Sequence, residues 1–135
     1  MRDEKGNKIV DSDGKTVRNH GKFKALQAAG WMYDDDTAQV SMNLLDHTTT
    51  GLHDVIEAIR AEANKLGLEV TSSELVGLVP KQAMIQAGNH YCPNTEESNE
   101  NKILQHAVHG LGLEALHEFD VNASIIELAV RRSGQ

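Results

Sequence analysis

Aromatic side chains are scarce in this sequence. They make up 4% of 135 residues, with a single tryptophan. That scarcity removes the stacking rings on which nucleic-acid binders rely. It also leaves the core to Leu, Ile, Val, Met and Ala. Cysteine is nearly absent. Cys92 stands alone, so no internal disulfide is available to brace the core. With no signal peptide, a reducing cytoplasm is the expected compartment. No apolar run approaches the roughly 20 residues that cross a bilayer, so no membrane partner is expected.

What is present bounds the class. The length fits one domain, in which roughly two-thirds of the surface is buried on folding. The net charge is −7, and it is unevenly spread. Residues 1–24 carry seven Lys or Arg against four Asp or Glu, while the rest carry six against sixteen. An acidic body argues against nucleic acid as a partner.

Residues 1–21 are polar and punctuated by glycine. Two similar pieces, "RDEKGNKIV" and "DSDGKTVR", each set a glycine turn before a β-branched pair. They suggest a loose hairpin or extended loop, an arm that enters a domain over 22–135. The arm is either a flexible tail or a sign that the chain begins inside a larger protein. "FKALQAAGWMY" (23–33) is extended in character. "TAQVSMNLL" (37–45) alternates strictly, with Ala38, Val40, Met42 and Leu44 on one side and Gln39, Ser41 and Asn43 on the other. That is a strand with one buried face, and the two runs pair as a hairpin.

Residues 48–67 read as an amphipathic helix. Leu52, Val55, Ile56, Ile59, Ala63 and Leu66 form its stripe, the threonines offer an N-cap, and Gly67 ends it. "LEVTSSELVGLV" (68–79) reads as the next strand, reached by a right-handed crossover and parallel to its neighbour. Pro80 suits the first turn of a short helix ended by Gly88. Residues 101–112 are helical until their glycines. Asp120 caps a last helix whose terminal Arg131 and Arg132 complement its dipole. The expected class is α+β: a small mixed sheet with helices on one face and the other face open. Gln39, Ser41 and Asn43 lie on that open face. Glu74 sits inside the third apolar run, where an unpaired carboxylate is costly. It points inward on a regular strand and outward if a bulge occurs at Ser72-Ser73.

These segments resemble the C-terminal subdomain of the glutamate formiminotransferase family, in enzymes found alone or fused to a cyclodeaminase. The resemblance covers nearly the whole chain. It is densest in "GWMYDDDTAQVSMNLLD", "TGLHDVIEAIRAEANKLGLEV" and "SSELVGLVPKQAM", and returns in "LGLEALHEFD" with "IIEL". It implies an α/β sandwich related to the ferredoxin-like fold, whose open sheet faces the sheet of an N-terminal subdomain across a folate groove. The implied reaction moves a formimino group from N-formimino-L-glutamate to tetrahydrofolate, the co-substrate, in histidine breakdown. A folate amine attacks the formimino carbon, and the tetrahedral species expels glutamate. The family's acid/base histidine belongs to the N-terminal subdomain, which this chain lacks, so no catalytic residue is assigned here and the chain alone is expected to be inactive. Relatives usually carry proline at Gly51 and glycine at Ser72.

The resemblance gives the polar residues candidate roles. Glu74 would accept hydrogen bonds from pterin N–H groups or orient the attacking amine. Gln39, Ser41 and Asn43 would form a neutral wall. Lys81, in the first turn of the Pro80 helix, would meet a substrate carboxylate, with Arg18, Lys22 and Lys24 as further cations. The plainer reading of each is a solvated or structurally paired side chain. His20, His47, His53, His90, His106, His109 and His117 have no nucleophile or carboxylate partner evident from sequence alone. His106 and His109 are spaced like a metal pair, but no third ligand accompanies them, so no metal is expected. A homo-oligomer is allowed. The rival class is a stand-alone ligand-binding or assembly module that keeps the fold without transferase activity. A third is a structural subunit with a partner carrying the other half.

Overall fold

The computed structural model describes residues 2–134. Met1 and Gln135, the outer ends of the expected arm and domain, lie outside the described residues. In chain order the elements are β1 (Leu26–Met32), β2 (Ala38–Leu44), α1 (Leu52–Lys65), α2 (Lys81–Tyr91), α3 (Glu100–Leu111), α4 (Val121–Ser124) and α5 (Ile126–Ser133). The α+β class agrees with expectation; the sheet is smaller than expected.

The arm consists of two matching turns. Asp3 Oδ1 accepts from the backbone N–H of Lys5 and Asn7 at 2.9 and 2.8 Å. Asp11 Oδ1 does the same for Asp13 and Lys15 at 3.0 and 2.9 Å. Isolated bridges Arg2↔Lys8 and Val10↔Thr16 flank them. The repeated sequence pieces thus become repeated Asx-type turns.

β1 and β2 pair antiparallel, with Ala29 opposite Ser41 and Trp31 opposite Gln39. Asp34 closes the turn by accepting from the N–H groups of Asp36 and Thr37 at 2.9 and 2.7 Å. The Asp36 N–H, then the Thr37 hydroxyl, hold its carboxyl below the usual range. Thr50 Oγ1 donates to the Lys24 carbonyl at 2.6 Å and ties the hairpin base to the start of α1.

α1 starts at an N-cap of Gly51, not at a threonine as expected. Thr48 and Thr49 are already engaged, donating to the Asp46 carboxylate at 2.5 and 2.8 Å. Asp54 Oδ2 accepts from the Gly51 N–H at 2.9 Å instead. The core lies among the helices: Val79, Met84, Ala87, Leu104, Val108, Leu111 and Ile125 are buried together. α2 packs mainly against α3, and Leu52 and Ile56 of α1 lean on the same cluster.

Several expected elements are corrected. Residues 68–79 are not a strand. They run as coil, and only Val79 makes a bridge, a parallel one to Ile125. Gly77 takes φ 79°, a left-handed step that breaks an extended path. The Ser73 N–H is spent on the Gly112 carbonyl at 3.1 Å. The mixed sheet with a parallel crossover is therefore a two-stranded antiparallel hairpin. The helices pack chiefly on one another, not across a sheet face. α2 continues through Gly88 to Tyr91, because Gly88 is where α3 comes closest. A Cβ there would stand 2.2 Å from the Ile103 carbonyl oxygen. The last helix is two pieces, broken at the buried Ile125. Asp120 caps the first piece, accepting from Asn122 and Ala123 N–H at 2.9 and 3.2 Å.

Candidate functional site

Directly opposite residues of an antiparallel pair share a face. The register therefore sorts the hairpin into two surfaces. One carries Leu26, Ala28, Gly30 and Met32 with Ala38, Val40, Met42 and Leu44. The other carries Gln27, Ala29 and Trp31 with Gln39, Ser41 and Asn43. The second surface holds no charged side chain. Ser41 and Asn43 are exposed and Gln39 is half-buried. Gln27, Ala28, Ala29, Ser41, Met42 and Asn43 line a shallow groove of about 170 Å³.

Glu74 and Lys81 do not line that groove. Glu74 is exposed on the coil before α2, with His117 Nε2 3.7 Å from its Oε1. Lys81 is half-buried and pairs with Glu100 at 3.2 Å. Its own backbone N–H donates to Glu127 Oε2 at 2.8 Å. That hydrogen bond holds the Glu127 carboxyl below its ordinary value. The start of α2 does hold a carboxylate, as its N–H groups and dipole favour, but the carboxylate belongs to α5.

A polar cluster that sequence reasoning missed joins α1, α2 and α3. Tyr91 Oη donates to Glu57 Oε1 at 2.8 Å. Arg60 donates to the same oxygen at 2.6 Å and to the Gly110 carbonyl at 2.8 Å. Burial, then the Glu57 acceptor, pushes the Tyr91 phenol up to about 12. The Tyr91 hydrogen bond and Arg60 lower Glu57. Gly110 lies under the Tyr91 ring; a Cβ there would fall 2.2 Å from ring carbons. Beside this clamp the His53 and His90 rings stack with centroids 4.5 Å apart. Burial lowers the His53 pKa, with Asp54, 3.4 Å away, acting against it. The Glu57–Arg60 pair is an i,i+3 neighbour on α1, but Tyr91 and Gly110 lie 34 and 50 residues from their partners, so no local motif announces the cluster. Tyr91 from α2 and the Gly110 carbonyl from α3 each bond to a polar side chain of α1, so the clamp docks α1 on both helices.

The larger depression, about 430 Å³, lies away from the hairpin between Asp120, Asn122, Leu128, Arg131 and Arg132. Arg132 there pairs with Asp120 at 3.2 Å. Among the described residues no three His, Cys, Asp or Glu side chains gather as a metal site. No helix among them is long and apolar enough to cross a membrane.

An uncharged hairpin face stands beside a helical core, and comparison with known proteins gives the family of the chain. The formiminotransferase domain matches residues 3–131, and the chain belongs to that family. It is 42% identical over 124 residues to the formimidoyltransferase-cyclodeaminase of Mus musculus, over 90% of this chain and 23% of that protein. The Dictyostelium discoideum protein of the same name is 36% identical over 125 residues. The glutamate formimidoyltransferase of Streptococcus pyogenes serotype M1 is 33% identical over 104 residues, 76% of this chain and 35% of that protein. The chain thus spans about a quarter of the cyclodeaminase-fused relatives it matches.

Proposed function

We propose that this chain is the C-terminal subdomain of a folate-dependent formiminotransferase and forms one wall of its folate groove. The fused or assembled enzyme moves a formimino group from N-formimino-L-glutamate to tetrahydrofolate, in the cytoplasm. The observation that carries this reading is the open, uncharged hairpin face on a chain of this family. A neutral face of amides and a hydroxyl can bind a polar ring without the desolvation cost of a buried charge. Gln39, Ser41 and Asn43 supply donors and acceptors to that wall. Glu74, exposed on the coil before α2 and outside the hairpin groove, would offer a carboxylate to ligand N–H groups from there, with His117 Nε2 3.7 Å from its Oε1. Lys81 is the weakest of the five, because Glu100 already offsets its charge. A substrate carboxylate would have to displace Glu100.

Proton transfer needs a group with a pKa near neutrality. His53 is held mostly buried against His90, at 13% side-chain exposure. As the family resemblance implies, the acid/base role goes to a histidine of the N-terminal subdomain, and the purified 135-residue chain is expected to be inactive alone. The test is a transfer assay with formiminoglutamate and tetrahydrofolate on the chain alone and rejoined to that subdomain. Activity only after rejoining supports the reading. Turnover by the chain alone would move catalysis into this half, and none in either form would leave a module without transferase function. Within the rejoined protein, Glu74→Gln is expected to weaken folate binding by roughly 1.5–3 kcal/mol per charged hydrogen bond lost. Its melting should change by less than about 0.5 kcal/mol, as for an exposed side chain. A large melting loss with unchanged affinity would make Glu74 structural.

A further inference from the structure

The hairpin register brings the single tryptophan to the proposed wall. Trp31 lies opposite Gln39, on the surface of Ala29, Ser41, Gln27 and Asn43. A large apolar ring on a face of amides and small residues is an odd tenant. It is 47% exposed, so the fold leaves about half of its surface open. Burying that surface is favourable for any flat apolar partner. Next to it, Ala29 is short and leaves the strand pair low, and Gln39 directly opposite offers both a donor and an acceptor, while the amides of Gln27 and Asn43 stand four residues along, roughly 13 Å away. A flat ring stacked over Trp31 would have its edge within reach of the Gln39 amide and, extended along the strand pair over Ala29, would approach Ser41 and the further amides.

The charge pattern selects the kind of ring. The hairpin face is uncharged, and the body beyond residue 24 carries sixteen Asp or Glu against six Lys or Arg. An anionic ligand end is repelled by such a field, and a neutral end is not. We propose that Trp31 is a stacking plate for a neutral planar heteroaromatic ring bearing N–H and C=O groups at its edge. Gln27 joins the wall as a further amide. This rests on the functional reading above and deepens it: the pterin end of the folate sits on this half, and its glutamate tail points away. Stacking on an aromatic plate tolerates changes at the ring edge, whereas the amides discriminate them. Affinity therefore comes mainly from Trp31 and selectivity from its neighbours.

One tryptophan makes the test direct. The 135-residue chain is titrated with tetrahydropterin and separately with p-aminobenzoyl-glutamate, with free tryptophan as the optical control. Saturable quenching of Trp31 emission by the ring, and none by the tail, is expected. Calorimetry should show ring affinity falling on the order of tenfold in Trp31→Leu and returning in Trp31→Phe. Quenching that follows the free-tryptophan control, or unchanged affinity in Trp31→Leu, overturns the proposal. If Trp31→Leu does not fold, the wild-type titration still decides. Failure of the broader reading looks different: the ring binds and quenches, but the rejoined protein transfers no formimino group. Conversely, an active rejoined protein whose KM for folate is unmoved by Trp31→Leu keeps the reading and removes the stacking plate.

Discussion

The helical half and the hairpin half of this chain bury their apolar residues to very different extents. In the helices, Met84, Leu104, Ala107 and Val108 are at most 1% exposed. In the hairpin, Trp31, Met32 and Val40 are 47%, 61% and 48% exposed, although β2 has the cleaner apolar pattern. An isolated hairpin is marginal in water. The contrast teaches that alternation specifies which face a strand offers and not whether the same chain covers it. The helical half holds the core, although Ile126 and Val130 of α5 are also exposed; among the described residues none from the hairpin joins that core.

The largest test of that contrast is a pair of truncations. Leu104→Ala should cost about 2–5 kcal/mol, the usual range for a buried leucine. Val40→Ala, on the apolar hairpin face, should cost less than about 0.5 kcal/mol. Urea unfolding of both variants checks this. Equal losses would mean that the hairpin face is covered in solution and that the two halves share one core.

How much of this was legible in the sequence follows the same division. Element types came through, namely the β2 strand, α1 and the Asp120 cap, but the β2 face expected to be buried is exposed at Ala38 and Val40, and the α1 stripe is exposed at Leu66. Glu74 and its neighbours were read as strand because β-branched and apolar residues dominate 68–79. The left-handed step at Gly77 and the Ser73 hydrogen bond to Gly112 overrode that propensity. Gly88 was read as a helix stop, yet it is the point where two helix backbones meet, a matter of tertiary packing. The Tyr91–Glu57–Arg60 clamp was missed because Tyr91 and the Gly110 carbonyl reach the Glu57–Arg60 pair of α1 from other helices. At the site, Gln39, Ser41 and Asn43 were placed on one surface by spacing alone. Trp31 and Gln27 needed the pairing register.

An intermediate effect separates the halves by pH. Residues 26–44 contain no histidine. The helical half holds His53, whose pKa is lowered by burial from 6.5. A depressed histidine binds its proton more readily once unfolded. Its stabilising contribution is present above pH 6.5 and is lost as pH falls through the folded value. Glu57, lowered from 4.5, adds a second loss only below pH 4.5. Between pH 7 and 5, amide exchange should therefore accelerate in α1, after correction for the intrinsic rate, and not in β1 or β2. His53→Gln should flatten the α1 response. An unchanged slope would move the titration to another histidine.

The smallest expected effect comes from one substitution made in both halves. Ala25 precedes β1 with φ 52°, the one non-glycine residue at positive φ among those described. Its carbonyl accepts from the Leu45 N–H at 2.8 Å, which fixes the conformation at the hairpin base. A left-handed L-residue costs roughly 1–2 kcal/mol, and glycine removes that cost. Glycine also loses more backbone freedom on folding, roughly 0.5–1 kcal/mol. The two terms nearly cancel, so Ala25→Gly should leave stability unchanged or raise it by less than about 1 kcal/mol. Ala87→Gly, in α2 and fully buried, has no strain to relieve. It should lose about 1 kcal/mol of helix propensity and the packing of its buried methyl, about 0.8 kcal/mol. Thermal melts of the two variants read the difference. If Ala25→Gly loses as much as Ala87→Gly, the strain at the hairpin base is absent in solution, and the hairpin joins the helices by a different path.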